Sequence, residues 1–128
     1  MKLTLRQILD MRLSVENASK EKFSAQAAYD MSLNISVLQP IFIAIEKSRL
    51  GLIEKYGAIN ERGLMQVKNE NIKVFMDEFD EFLKKEEDLS IRTIKLEDLV
   101  RTKCEFSPAD MVALKPLILE ESSTEKKE

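Results

Sequence analysis

The stretch that decides the fold is SAQAAYDMSLNISVLQPIFIAIEKSRLGLIEKY, residues 24–56. Apolar residues recur in it at steps of three and four, which is the spacing of one helix face. They are Ala27, Met31, Ile35, Leu38, Phe42, Ile45, Leu52 and Tyr56, with Arg49 interrupting the series. A second apolar series lies beside the first and consists of Leu33, Val37, Ile41 and Ala44. The pattern predicts one long helix that needs cover on more than one side, and therefore self-association through this helix.

Pro40 falls inside the predicted helix, where it removes one backbone hydrogen bond and clashes with the preceding turn. Either the helix kinks there or two helices meet. The apolar series continues in phase on both sides of Pro40, which favours the kink. Gly57 is predicted to end the helix as its C-terminal cap.

Shorter elements precede and follow the long helix. Thr4 and Gln7 have the spacing of a capping box that opens a first helix. Residues 14–22 are polar and predict either a connection or a frayed helix end. Residues 57–68 predict a short β-hairpin, with Gly63 at a turn position that favours positive φ.

The remaining third of the chain predicts smaller elements. A strongly amphipathic helix reaches to about Glu87, and residues 90–94 alternate as a strand does. Ser107 and Asp110 flank Pro108 as the start of a last helix. The predicted fold class is mainly α (α+β), with a long kinked helix packed against about three further helices and a small antiparallel β element.

The 128 residues fit one domain. We expect a single helical domain with a small β-hairpin over residues 1–119, followed by a flexible polar tail over residues 120–128. Charged residues make up 34% of the chain beside a normal apolar content, which indicates helices with solvated faces.

Charge and hydropathy limit the partners and the location. Residues 1–69 carry 10 basic and 7 acidic groups, a weaker excess than the basic stripe of a typical DNA-binding domain, so nucleic acid is not an expected partner. No uninterrupted apolar run approaches the roughly 18 residues of a membrane span. The single cysteine allows no internal disulfide, and we expect a cytoplasmic protein.

Catalytic and metal-binding patterns are missing from the sequence. It has no histidine, and its three glycines form no phosphate-binding loop. The one cysteine, Cys104, is interpreted as a buried structural thiol. We therefore expect no enzyme activity, no cofactor and no metal site.

Four polar residues near the end of the long helix form the candidate ligand site: Arg49, Lys55, Tyr56 and Arg62. Arg49 stands where the apolar series predicts a hydrophobic residue, and Arg62 lies at the tip of the predicted hairpin. A basic and aromatic group of this kind can hold an anionic ligand such as a nucleotide. The alternative for Arg49 is a salt bridge with Glu46 or with an acidic residue of the third helix.

The order of these features resembles small proteins of unknown function encoded by bacteriophages and prophages. The pieces that carry the resemblance are the capped first helix, the ending LIEKYG at residues 52–57, the Phe-rich acidic helix and the FSPAD that opens the last helix. The resemblance implies a small accessory protein of a phage or prophage, and it transfers no functional residue.

Two classes of function follow from the sequence. The first is a non-enzymatic binding protein, such as a counter-defence factor that sequesters a nucleotide immune signal or inhibits a host protein. The alternative is a structural or assembly protein of a virion that acts through protein–protein contacts.

Overall fold

A computed structural model of the chain describes residues 1–101 and 106–119. Within these ranges the α-helices are α1 (Leu5–Ala18), α2 (Ala25–Tyr56), α3 (Ile72–Leu83), α4 (Leu96–Arg101) and α5 (Pro108–Leu114). Single 3-10 turns lie at Asn69–Asn71 and Lys115–Leu117. The strands are β1 (Lys2–Thr4), β2 (Gly57–Ile59), β3 (Met65–Val67), β4 (Glu86–Asp88), β5 (Ile94–Lys95) and β6 (Ile118–Leu119). The predicted mainly α (α+β) class is confirmed. The predicted tail at 120–128 and the predicted buried thiol of Cys104 lie outside the described residues.

The long helix α2 is continuous through Pro40, so one helix rather than two is confirmed. Ser24 caps its start, because the Ser24 side chain accepts a hydrogen bond from the backbone N–H of Ala27. Pro40 cannot donate the backbone hydrogen bond that a helix needs at this position. Because this side of α2 is exposed to solvent, the carbonyl oxygen left without that donor is not buried. The kink itself stays a prediction.

The core forms where α1 and the first half of α2 pack together, with α5, the following 3-10 turn and the end of α3 around them. Its most fully buried side chains are Ile8, Met11, Leu38, Ile45, Leu83, Leu114 and Leu117. The capping box of Thr4 and Gln7 is confirmed at the start of α1. The predicted connection or frayed end over residues 14–22 is wrong for residues 14–18, because α1 continues to Ala18 with Ser14, Val15 and Ala18 buried, and α5 packs on this helix.

The acidic segment Glu86–Asp88 is a strand, not a helix end. Helix α3 ends at Leu83, and the predicted extension to Glu87 is wrong. Strand β4 pairs antiparallel with β1, with Leu3 opposite Glu87. At a helix C-terminus, three acidic residues would lie beside the negative end of the helix dipole, which is unfavourable. In the strand, they instead form backbone hydrogen bonds with β1.

The strand predicted over residues 90–94 is wrong for residues 90–93, which form no regular element. The backbone of Arg92 is bound instead by the Asn34 side chain of α2. Only Ile94–Lys95 forms a strand, and it pairs in parallel with Ile118–Leu119. The predicted cap of the last helix is confirmed, with Ser107 and Asp110 forming a capping box.

The predicted hairpin is confirmed as the antiparallel pair β2–β3, with Gly63 at φ +77° in its turn. Gly57 ends α2 as its C-cap, which confirms the prediction, and its extended backbone then opens β2. A side chain at Gly57 would collide with the carbonyl oxygen of Ile53 and would place its Cβ 2.5 Å from the carbonyl oxygen of Gln66. Glycine is therefore required by the close approach of helix and hairpin.

By length and composition, α2 is a helix that could cross a membrane, and 28% of its most apolar 18-residue stretch is buried inside the protein. The sequence predicted no membrane span because polar residues interrupt the apolar run. One of these, Asn34, is fully buried and is hydrogen-bonded within the chain. This contact is typical of a core helix, and the absence of a membrane stays a prediction.

Candidate functional site

The candidate residues lie on a part of the molecule that projects from the core, which we call the arm. The arm comprises residues 46–79: the second half of α2, the β2–β3 hairpin, the 3-10 turn at Asn69–Asn71 and the first two turns of α3. No residue of the arm is buried, whereas Ile45, directly before it, is 2% exposed. The chain therefore leaves the hydrophobic core at Ile45 and returns to it at Phe79, which packs against the buried cluster.

The base of the hairpin is fixed to the end of α2 by backbone hydrogen bonds. The carbonyl oxygen of Tyr56 accepts from the Lys68 N–H at 3.1 Å and from the Asn71 side-chain amide at 3.1 Å. In the turn, the Asn60 side chain accepts from the N–H groups of Arg62 and Leu64. These bonds use the groups that the end of a helix and a tight turn leave without partners. The arm is thus an ordered surface.

Arg49 lies at the junction of the core and the arm, and its guanidinium is occupied by Glu46. Its Nε lies 3.0 Å and 3.1 Å from the two Glu46 carboxylate oxygens. Arg12 of α1 approaches the same carboxylate at 3.9 Å. The hydrogen bond from Arg49, together with the charges of Arg49 and Arg12, holds the pKa of Glu46 below its usual range. The salt bridge that the sequence left open as the alternative for Arg49 is therefore present.

Lys55 and Tyr56 converge on one acidic residue, Glu78 of α3. The Tyr56 hydroxyl donates to Glu78 Oε1 at 2.5 Å, and Lys55 Nζ lies 3.1 Å from the same oxygen. The ammonium of Lys55 also lies 5.0 Å from the centre of the Tyr56 ring. The hydrogen bonds from Tyr56 and then Lys55 lower the pKa of Glu78, and Glu78 in turn raises the pKa of Lys55. This trio joins α2 to α3.

Arg62 stands apart from the other three candidate residues at the hairpin turn. Its side chain is exposed and pairs with no carboxylate among the residues that the structure describes. The structure therefore brings Lys55 and Tyr56 together, places Arg49 in a separate ion pair, and leaves Arg62 at the tip. Ligand binding by these residues stays a prediction.

An anionic ligand at these residues would have to displace carboxylates that are already in place. Glu46 neutralises Arg49, and Glu78 neutralises Lys55 while accepting the Tyr56 hydrogen bond. A depression of about 570 Å³ beside Glu78 is lined by two acidic and two basic side chains with Phe82. Such a mixed lining has no excess of positive charge with which to attract a phosphate. The arrangement favours ion pairing within the chain.

Apolar residues of the arm are the feature that the sequence interpretation missed. Seven large apolar side chains of the arm are between 42% and 67% exposed: Leu50, Ile59, Leu64, Met65, Ile72, Val74 and Met76. Ile59 and Met65 stand directly opposite each other across the hairpin. The alternation of the hairpin could have indicated an apolar face, but nothing in the sequence says that the rest of the chain fails to cover it.

Helix α3 shows the change from core to arm along a single line. Ile72, Met76 and Leu83 follow one another on one helix face, at steps of four and seven residues. Leu83 is 1% exposed, whereas Met76 is 53% exposed. The amphipathic pattern of this helix would place the whole face in the core, but only its C-terminal end is buried. Beside it, the rings of Phe75, Phe79 and Phe82 stack at 6.1 Å and 6.2 Å and are half-buried.

A second concavity, of about 600 Å³, lies between α1 and α5. Its lining is Gln7, Asp10, Ala109, Val112, Ala113, Lys115 and Pro116. None of the four candidate residues contributes to it. Across the residues that the structure describes, no group of three or more histidine, cysteine or acidic side chains could hold a metal ion.

Comparison with known proteins gives no relative. No protein-family model, curated protein or solved structure matches this chain.

Proposed function

We propose that this chain is a non-enzymatic accessory binding protein that acts through protein–protein contacts, with the arm as its contact surface. The observation that carries the proposal is the arm itself, an ordered segment in which large apolar side chains remain uncovered. Exposed apolar patches rimmed by polar residues mark interaction sites in soluble proteins, since they are otherwise an aggregation liability.

The charge arrangement supports a protein partner over a nucleotide. Two of the three candidate cations, Arg49 and Lys55, are paired with Glu46 and Glu78, and only Arg62 at the hairpin turn is left to a phosphate. Sequestration of a nucleotide signal therefore has less support than binding of a protein partner. Inhibition of a host protein and assembly of a virion both remain within the proposal, because each works by contact between polypeptides. The phage setting rests on the resemblance alone.

The absence of histidine supports a non-catalytic role, because a general base near neutral pH would have to come from a carboxylate or lysine with a strongly shifted pKa. The carboxylates that hydrogen bonding and nearby charge perturb here have lowered pKa values, which makes them weaker bases. Glu46 pairs with Arg49 within α2 and with Arg12 of α1, and Glu78 pairs with Lys55, so both carboxylates are engaged in ion pairs.

Site-specific photocrosslinking tests the proposal in cells that express the chain. A photoreactive amino acid replaces Met65 on the arm, and a matched variant carries it at Lys20, an exposed position beyond the end of α1. We expect polypeptide adducts at position 65 and none at position 20. Absence of any polypeptide adduct at position 65, with a small molecule found by native mass spectrometry, would contradict the proposal.

A further inference from the structure

We propose that Met65 and Met76 are oxidation sites, and that their reaction with a peroxide weakens the contact that the arm makes. The product is methionine sulfoxide, in which a polar S=O group replaces the apolar thioether. The inference rests on the proposed function, since it names a regulation of the same surface.

The first argument is the difference in exposure between the methionines of the arm and those of the core. Met65 and Met76 are 44% and 53% exposed, whereas Met11 and Met31 are 1% and 4% exposed. A peroxide has to reach the sulfur atom, so the two methionines of the arm react while the core shields the other two. Oxidation therefore changes the arm and leaves the packing of the core intact.

The second argument is that both methionines of the arm have exposed apolar neighbours. Met65 stands directly opposite Ile59 across the hairpin, and Ile59 is 67% exposed. Met76 follows Ile72 by one turn on the same face of α3, and Ile72 is 42% exposed. A polypeptide that covers these isoleucines also covers the neighbouring thioethers. A sulfoxide at the same place would be taken out of water without a hydrogen-bond partner, which opposes the contact.

The chemical step is a two-electron oxidation of the thioether. The sulfur attacks one oxygen of hydrogen peroxide, an S–O bond forms as the O–O bond breaks, and the second oxygen leaves as water. The sulfur is oxidised and the peroxide is reduced. Methionine sulfoxide reductases return the sulfoxide to the thioether, so the change is reversible.

Peptide mass spectrometry of the purified full-length chain, after brief treatment with hydrogen peroxide, tests the argument from exposure. We expect one added oxygen atom on Met65 and on Met76 before any on Met11 or Met31. Circular dichroism at that stage should show unchanged helix content, because neither oxidised residue is buried. Oxidation of the core methionines at the same rate as those of the arm overturns the inference.

Photocrosslinking in cells that express the chain tests the effect on the contact. The photoreactive amino acid replaces Ile72, so that both methionines stay in place. We expect peroxide to lower the yield of polypeptide adducts about 10-fold, because burial of an unpaired polar group weakens a contact by roughly that factor. The yield should recover when methionine sulfoxide reductases have repaired the chain.

A double variant, Met65→Leu with Met76→Leu, is the matched control. Its adduct yield is compared with and without peroxide, and we expect peroxide not to lower it. Met1, which is 47% exposed and lies outside the arm, is still oxidised in this variant and shows that the peroxide reached the chain.

The outcomes separate this inference from the proposed function. An adduct yield that stays unchanged although Met65 and Met76 carry the sulfoxide overturns the inference and leaves the proposed function standing. An equal loss of adducts in the double leucine variant also overturns it, because the peroxide then acts at another place. If no polypeptide adduct forms at position 65 or 72 even without peroxide, both proposals fail.

Discussion

The side chain of Asn34 binds the backbone of Arg92 in the way that a neighbouring strand would. Its amide donates to the Arg92 carbonyl oxygen at 2.8 Å, and its oxygen accepts from the Arg92 N–H at 2.8 Å. Asn34 is fully buried in the first half of α2. The contact satisfies a backbone segment that has no strand partner, and it fixes residues 90–93 against the long helix.

Replacing Asn34 by Leu should therefore destabilise the protein by about 2–4 kcal/mol, because two hydrogen bonds are lost and the Arg92 backbone groups are left without partners. Urea unfolding followed by circular dichroism measures the effect. Gln39→Ala, at an exposed position of the same helix, is the control and should change the free energy of unfolding by less than about 0.5 kcal/mol. Equal effects of the two variants would show that the contact is not needed for stability.

Two glycines of the arm give a matched pair with opposite expected signs. Gly57→Ala should destabilise the fold by about 1–3 kcal/mol or more, since the added Cβ collides with backbone atoms that cannot move aside. Gly51→Ala should stabilise it by about 0.5–1 kcal/mol, because Gly51 lies inside α2 with nothing within 4 Å of an added Cβ. Thermal unfolding of both variants checks the pair. A stabilised Gly57→Ala variant would mean that helix and hairpin do not approach as described.

Asp110 should make stability depend on pH in acid. Its carboxylate accepts from the Ser14 hydroxyl at 2.7 Å and from the Ser107 N–H at 3.1 Å. The Ser14 bond, followed by that of Ser107, lowers the pKa of Asp110 from its ordinary value of 3.8. A lowered folded-state pKa stabilises the fold fully above the unfolded value and loses this effect as the pH falls through the folded value.

We therefore expect Asp110→Asn to flatten the loss of stability below pH 3.8, as measured by urea unfolding over a pH series. The exposed residue Asp10 provides the control variant, Asp10→Asn. An Asp110→Asn protein that loses stability in acid as steeply as the wild type would rule out this role of the Ser14–Asp110 bond.

Arg49→Ala separates the structural role of Arg49 from a ligand-binding role. The Arg49 side chain is more than a third exposed to solvent. Loss of its ion pair with Glu46 should therefore lower the free energy of unfolding by less than about 1 kcal/mol. Calorimetric titration with nucleotides should show no binding to either protein. Nucleotide binding by the wild type that disappears in a folded Arg49→Ala variant would favour the sequestration hypothesis instead.

Local signals made much of this fold predictable. Thr4, Ser24 and Ser107 each cap a helix within three residues of themselves, and Gly63 sets its own turn, so the sequence around each is sufficient. The long α2 was predictable because its apolar spacing persists over many turns.

Pairings between distant segments could not be predicted. Glu86–Asp88 extends the pattern of α3, and only the presence of β1 turns it into a strand. Likewise, the sequence shows the ammonium of Lys55 and the hydroxyl of Tyr56 but not their common partner. Both donate to Glu78, which follows Lys55 by 23 residues and Tyr56 by 22. The candidate site was incomplete for this reason, since the partner of Lys55 and Tyr56 lies on α3.

The contacts that close the core have a consequence for synthesis on the ribosome. The hydrogen-bond partner of Ser14 is Asp110, synthesised 96 residues later, and that of Asn34 is Arg92, synthesised 58 residues later. Helices α1 and α2 therefore emerge well before the segments that cover them, while the arm can form locally as soon as α3 is made. A nascent chain stopped before residue 110 would lack α5, the helix that packs on α1, so premature termination should yield fragments that expose the apolar face of α1 and aggregate.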